Sequence, residues 1–123
     1  MGDLPVVGNV ADVRFEPEEF APGQVIEGEP KMMSRDLYVS PDERVFSGIW
    51  SVTPGKYHDL MDGDETFVVL SGRMTVEPED GSQAFDVKTG DVCVFAAGYR
   101  SVWTVHETIV KGYRIEMTAP AGE

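Results

Sequence analysis

The sequence predicts an all-β fold: a small antiparallel β-barrel or jelly roll, in a single domain preceded by an N-terminal arm. Three observations carry this. Glycines recur at near-constant spacing through the middle of the chain. Short apolar or alternating runs fill the intervals. Gly and Pro, at 13 and 8 of 123 residues, are too frequent for a helical bundle.

The glycines are Gly55, Gly63, Gly72, Gly81, Gly90 and Gly98, at successive spacings of 8, 9, 9, 9 and 8. Each follows a turn-forming or small residue, namely Pro54, Asp62, Ser71, Asp80, Thr89 and Ala97. Asp80-Gly81 predicts a two-residue hairpin turn of type I′, which needs positive φ at both centres. A tandem solenoid would repeat side chains as well as spacing, and these intervals do not.

Taken in order, residues 1–44 form an arm and the first strand or strands. Glu16-Pro17-Glu18-Glu19 and residues 22–30 are acidic, proline-bearing and without period. Such an arm is expected to cover an edge strand of its own or of a partner subunit. Strands are predicted to begin at Leu37-Tyr38-Val39 and to resume over residues 45–52 after a Pro41-Asp42 turn. Residues 45–118 are the barrel core and 119–123 a tail, with no linker to a second domain. Phe67-Val68-Val69-Leu70 and Val92-Cys93-Val94-Phe95 are apolar throughout, which predicts strands covered on both sides. Arg73-Met74-Thr75-Val76-Glu77 and Phe85-Asp86-Val87-Lys88 alternate, so each has one wet and one dry face. Residues 99–111 lack Gly and Pro and carry Val102-Trp103-Thr104-Val105 and Thr108-Ile109-Val110, which favour strand over helix.

Composition narrows the function classes. Twenty-two acidic and 10 basic residues give a net charge of −12, hostile to a polyphosphate backbone, so no nucleic-acid partner is expected. The charge reads as a solvated surface; an attraction for cationic or amine substrates is compatible with it but not shown by it. No apolar run approaches the roughly 20 residues of a membrane span, and no secretion signal is visible. A cytoplasmic setting without a membrane partner is the expectation. Cys93 is the single cysteine, so no intrachain disulfide forms, and its apolar surroundings predict a buried, inert thiol.

Two motifs point further. Glu65 is followed by six residues and Gly72, with His58 seven residues upstream of it; Gly90-Asp91 and Gly98 follow at a fixed interval. This arrangement resembles the cupin superfamily. Gly48-Ile49-Trp50, Pro54-Gly55-Lys56, Glu65-Thr66-Phe67, Val69-Leu70-Ser71-Gly72, Asp80-Gly81, Gly90-Asp91 and Trp103-Thr104-Val105 narrow it. Together they resemble the single-domain cupins similar to the cupin domain of ureidoglycine aminohydrolase and to ethanolamine-utilisation cupins. The resemblance spans about residues 45–116 and implies a barrel with an internal small-molecule pocket. It is specific for fold and unspecific for activity.

The resemblance also implies a metal site, from which this sequence departs. Leu60 stands at the second histidine position, Ser101 at the later one, and Ala96 at the expected proline. His58 and Glu65 remain as candidate ligands for one divalent transition metal (Mn, Fe, Ni or Zn). A complete site needs three or more converging donors. Asp59, Asp62 and Asp64 are possible oxygen donors, Cys93 only if it points inward, and His106 has the wrong strand parity. Alternatively, His58 is an ordinary loop histidine.

Strand parity gives the rest of the pocket. If Ser101 faces inward, so do Trp103 and Val105; on the following run Ile109, Lys111, Tyr113 and Ile115 share one face. An ammonium inside a barrel must meet a carboxylate or a ligand anion, or lose its charge, and Glu65 is the natural partner for Lys111. Lys111 reaching to the rim, or Arg114 facing in instead, are the alternatives. The candidate ligand-binding residues are therefore His58, Glu65, Phe67, Ser101, Trp103, Lys111 and Tyr113.

Two functions fit. One is a small-molecule-binding module for a small polar metabolite. The other is a metal-dependent hydrolase or isomerase in which Lys111 or Tyr113 moves protons or orients substrate. A symmetric homodimer is the expected assembly.

Overall fold

The computed structural model describes residues 3–118. Nine strands are present there: β1 (Glu16–Glu18), β2 (Val25–Glu27), β3 (Met32–Val39), β4 (Val45–Val52), β5 (Gly55–Leu60), β6 (Gly63–Pro78), β7 (Phe85–Lys88), β8 (Val92–Phe95) and β9 (Arg100–Met117). Every pairing is antiparallel. The described residues contain no helix, so none long and apolar enough to cross a membrane.

Two long strands organise the rest. Along one edge of β9, residues 109–116 pair with β4 and residues 100–105 with β5. Along the other edge β9 pairs with β6. β6 in turn carries β8 opposite Glu65–Val68 and β7 opposite Arg73–Val76. The result is one curled sheet with two arms, β1-β3-β4-β9-β6-β8 and β2-β5-β9-β6-β7, that share β6 and β9.

The shared strands turn where their register slips, between Val69 and Met74. Gly72 sits at that point with φ +105°, and a Cβ there would lie 2.2 Å from the Thr108 carbonyl oxygen. Only glycine permits both the conformation and the approach. Between the two arms lies the core, with Val52, Met74, Val76, Trp103 and Ile109 almost wholly excluded from solvent.

Of the two expected positions for the first 44 residues, the segment takes the one on its own chain: β1 pairs with β3 and β2 with β5. Several expectations are corrected. β3 begins at Met32, five residues before the predicted start, because its pairing with β4 overrides a sequence with little period. Asp80-Gly81 is not a two-residue turn. It lies in a six-residue connection, 79–84, where Gly81 (φ +87°) has positive φ and Asp80 does not. Val92 and Val94 are 70% and 73% exposed, and Leu70 is exposed too, so the apolar runs are covered on one face only. A four-residue apolar run carries no period from which to tell one covered face from two. The predicted tail, 119–123, lies outside the described residues.

Candidate functional site

Pairing register decides which side chains face the interior, because directly opposed residues share a face. On β9, Ser101, Trp103 and Val105 are buried, as are Ile109 and Lys111 beyond the bend. Tyr57 lies opposite Trp103 and Asp59 opposite Ser101, so this pair faces inward on β5. His58 is thereby turned outward, and Leu60, at the end of the strand, is exposed at the cavity's margin. Arg114 is exposed, which leaves Lys111 as the interior cation of β9.

A cavity of about 370 Å³ opens between β3, β4, β5, β6 and β9. Trp50, Asp59, Glu65, Trp103, Lys111 and Tyr113 are among the side chains in its wall. Lys111 is 5% exposed, and its Nζ donates a hydrogen bond to Glu65 Oε2 at 2.7 Å. The same ammonium stands 4.4 Å from the Trp50 ring centre, 4.3 Å from that of Phe67 and 5.2 Å from that of Trp103. Carboxylate and aromatic faces together replace the lost water.

Asp59 is in a different position. Its Oδ2 is buried and has no hydrogen-bond partner among the described residues. Burial pushes its pKa up from 3.8 to about 6; Lys111 opposes the shift, and Glu65 and Asp62 add to it. Tyr57, two residues earlier on the same face, also has a buried hydroxyl without a partner. At the cavity's other wall the Tyr113 hydroxyl donates a short hydrogen bond to Asp36 Oδ1. Burial, then that bond, raise the phenol's pKa far above its usual value.

Phe67 meets Lys111 with its ring from outside the cavity lining, while the structure brings Glu65, Trp103, Lys111 and Tyr113 together around one space. Ser101 lies beneath it, its Oγ accepting a hydrogen bond from Trp103 Nε1 at 2.9 Å. His58 is not part of the group. Its side chain is 52% exposed and faces Glu79, with Nδ1 3.8 Å from Glu79 Oε2. His106 lies outside as its parity predicts, 2.8 Å from Thr75 Oγ1. Cys93 is half-buried opposite Phe67, and burial raises its thiol pKa.

Asp36 is a cavity residue that sequence reasoning did not select; Trp50 entered only through the Gly48-Ile49-Trp50 motif and Asp59 only as a possible oxygen donor to a metal. A signal for Asp59 was present: Lys56 and His58 are polar while Tyr57 is aromatic, which places 57 and 59 on the dry face. A second hollow of about 740 Å³ lies on the outer face, between Gly8–Val10 and side chains that include Val68 and Val92. Arg114 is its single ionisable lining group besides Tyr113, so the chemistry concentrates in the smaller cavity.

The family profile of the EutQ-like cupin domain matches residues 39–113, more than half of the chain. The chain belongs to this cupin family. Among solved structures, this cupin is similar to a DUF861 family protein from Pseudomonas syringae, at 25% identity and TM-score 0.74. That match covers 84% of this chain and 44% of the other, so the cupin spans less than half of that protein's length. A DUF861 family protein from Thermotoga maritima is 31% identical over 55% of this chain and 75% of its own, with TM-score 0.52. An ethanolamine utilization protein Q from Salmonella typhimurium shares the fold at 20% identity and TM-score 0.61, covering 72% of each chain. No curated protein matches the chain.

The donor set of this cupin does not fit the metal that the wider superfamily suggests. His58 points away from the cavity, Leu60 offers no donor atom, Ser101 Oγ is engaged by Trp103, and Glu65 holds Lys111. Among the described residues no three His, Cys, Asp or Glu side chains converge to hold an ion. The pairing of His58 with Glu65 as ligands is therefore corrected: β5 presents its odd-numbered residues inward, and the histidine is even.

Proposed function

We propose that this cupin is a small-molecule-binding module that holds a polar metabolite against the Lys111–Glu65 pair, without a metal. The observation that carries the reading is the pair itself, buried at 2.7 Å in the wall of an open cavity. Burying two charges is costly, and apolar residues of the same volume commonly stabilise a core as well or better. An ion pair kept beside a cavity despite that cost supports a role in recognition.

The test is a thermal-shift and NMR screen of small polar metabolites against the wild-type chain and a Glu65→Gln/Lys111→Gln variant. The double change keeps a hydrogen-bonding pair and removes both charges. Expected are ligands that shift the Trp50 and Trp103 indole signals in the wild type and lose at least tenfold affinity in the variant. Ligands that bind both forms equally would remove the pair from the site.

An enzymatic reading has one observation in its favour. Burial raises the Asp59 pKa to about 6, and a carboxyl poised there in a cavity wall suits acid–base chemistry. Recovering a bound metabolite chemically changed, and unchanged with Asp59→Asn, would favour it over simple binding.

A further inference from the structure

We propose that β8 and the outer face beside it are where a second copy of this chain docks, about a two-fold axis that sets the two β8 strands antiparallel in one continuous sheet. This surface is separate from the cavity and gives the expected homodimer a definite place.

The sheet ends in four margins, β1, β2, β7 and β8, each paired along one side only. Unpaired edges invite pairing with another chain, and proteins guard them with charge or proline. β1 carries Glu16, Pro17 and Glu18, β2 carries Glu27, and β7 carries Asp86 and Lys88. β8 reads Val92-Cys93-Val94-Phe95 and has no such guard. Among the described residues its backbone makes no hydrogen bond beyond its ladder with β6.

The side chains agree with the edge. Val92 lies opposite Val68 and Val94 opposite Thr66, so both face outward, and Val92 lines the outer hollow together with Val10 and Leu70. Val92 and Val94 are the most exposed large apolar residues of the nine strands. Val7, directly before the hollow-lining Gly8, is exposed as well. Val7, Val10, Leu70, Val92 and Val94 leave roughly 500 Å² uncovered, about the apolar share of the ~800 Å² that each partner buries in a stable dimer.

Charge selects the partner. The chain has 22 acidic residues, yet no carboxylate lines the hollow and none lies on β8. A basic protein would be drawn to the acidic surface elsewhere, and an anionic membrane repels a chain of net charge −12. Two copies repel each other over most of their surface and approach most easily where carboxylates are absent. A two-fold axis is also the operation that such an edge satisfies by itself. It sets the strand antiparallel to its own copy, with Val92 and Val94 of both chains on one face.

The test is sedimentation velocity of the full chain from about 1 to 200 μM, with hydrogen–deuterium exchange at both ends of that range. A reversible dimer of twice 13.5 kDa is expected, with β8 amides exchanging at least tenfold more slowly in the dimer than in the monomer. Val94→Lys gives this edge the guard that the other margins have. Its side chain is already exposed in one copy, so circular dichroism should be unchanged while the dimer weakens at least tenfold. A monomer throughout the range would leave the edge to a different partner and overturn the proposal. A dimer untouched by Val94→Lys, or one whose exchange protection falls on other strands, would overturn it by placing the contact elsewhere. Should Val94→Lys disturb the fold, the exchange pattern of the wild-type chain decides alone.

Discussion

The Tyr113 hydroxyl donates a hydrogen bond to Asp36 across β4, over the one position in that strand without a side chain, Gly48. A Cβ at Gly48 would lie 3.0 Å from the Tyr113 hydroxyl and 2.2 Å from the Arg35 carbonyl oxygen. The cavity's outer wall is thus held by a contact that a glycine makes room for. Tyr113→Phe removes the hydrogen bond and leaves the ring. A loss of about 1.5–3 kcal/mol in urea unfolding is expected, the range for a hydrogen bond to a charged group. No measurable loss would mean that water replaces the phenol.

The Lys111–Glu65 pair should behave non-additively. Lys111→Met leaves a buried carboxylate without its cation, and Glu65→Leu leaves the cation without its carboxylate. Each is expected to cost about 3–5 kcal/mol, whereas the double variant should recover most of the loss. A double-mutant cycle by chemical denaturation reads this directly. Additive losses would show that the two groups do not depend on each other.

Asp59 predicts a specific pH dependence. Its folded pKa is raised from 3.8 to about 6, so the fold favours the protonated acid. The favourable contribution is complete below the unfolded value and is lost as pH rises through 6. The cost at pH 8 is about 3 kcal/mol, two pKa units' worth. Asp59→Asn should therefore gain stability relative to wild type between pH 4 and pH 7. A difference constant across that range would place the carboxyl in solvent.

Gly72 separates two causes of strain. With φ +105° and a backbone oxygen 2.2 Å from the would-be Cβ, Gly72→Ala is expected to cost about 3 kcal/mol or more. Gly90 and Gly98 have similar φ values, +94° and +86°, with nothing within 4 Å. Alanine at either should cost only about 1 kcal/mol, the backbone penalty alone. Equal losses at all three sites would mean that the contact with Thr108 relaxes freely.

Metal content offers a check on the corrected assignment. Untagged protein is expected to carry the same metal content, by mass spectrometry, with His58 or with His58→Ala. One equivalent lost in the variant would restore the imidazole to the site.

How much of this was legible depends on the residue. Turn glycines at even spacing and the unbroken run from Tyr99 fixed an all-β reading, because both signals are local. The face shared by Trp103, Lys111 and Tyr113 was legible for the same reason, since parity within one strand needs no partner. Asp59 was legible only as a possible metal oxygen donor, because its place in the cavity is set by register against Ser101, a contact between strands far apart in sequence. Motif spacing put His58 inward, and pairing geometry put it out. β1 and β2 were equally hidden: they are three residues each and exist only through their partners.

Because β6 and β9 run through both arms of the sheet, the molecule has no seam along which one arm could swing from the other. Breathing must occur where the hydrogen-bond ladders are short. β1 is held to β3 by three register pairs, and Glu18, Ser34 and Asp36 on these two strands belong to the cavity wall. Fraying of this margin costs little beside opening β6 or β9. Entry and exit would then pass a weakly held margin, while the ion pair beneath stays on the two longest strands.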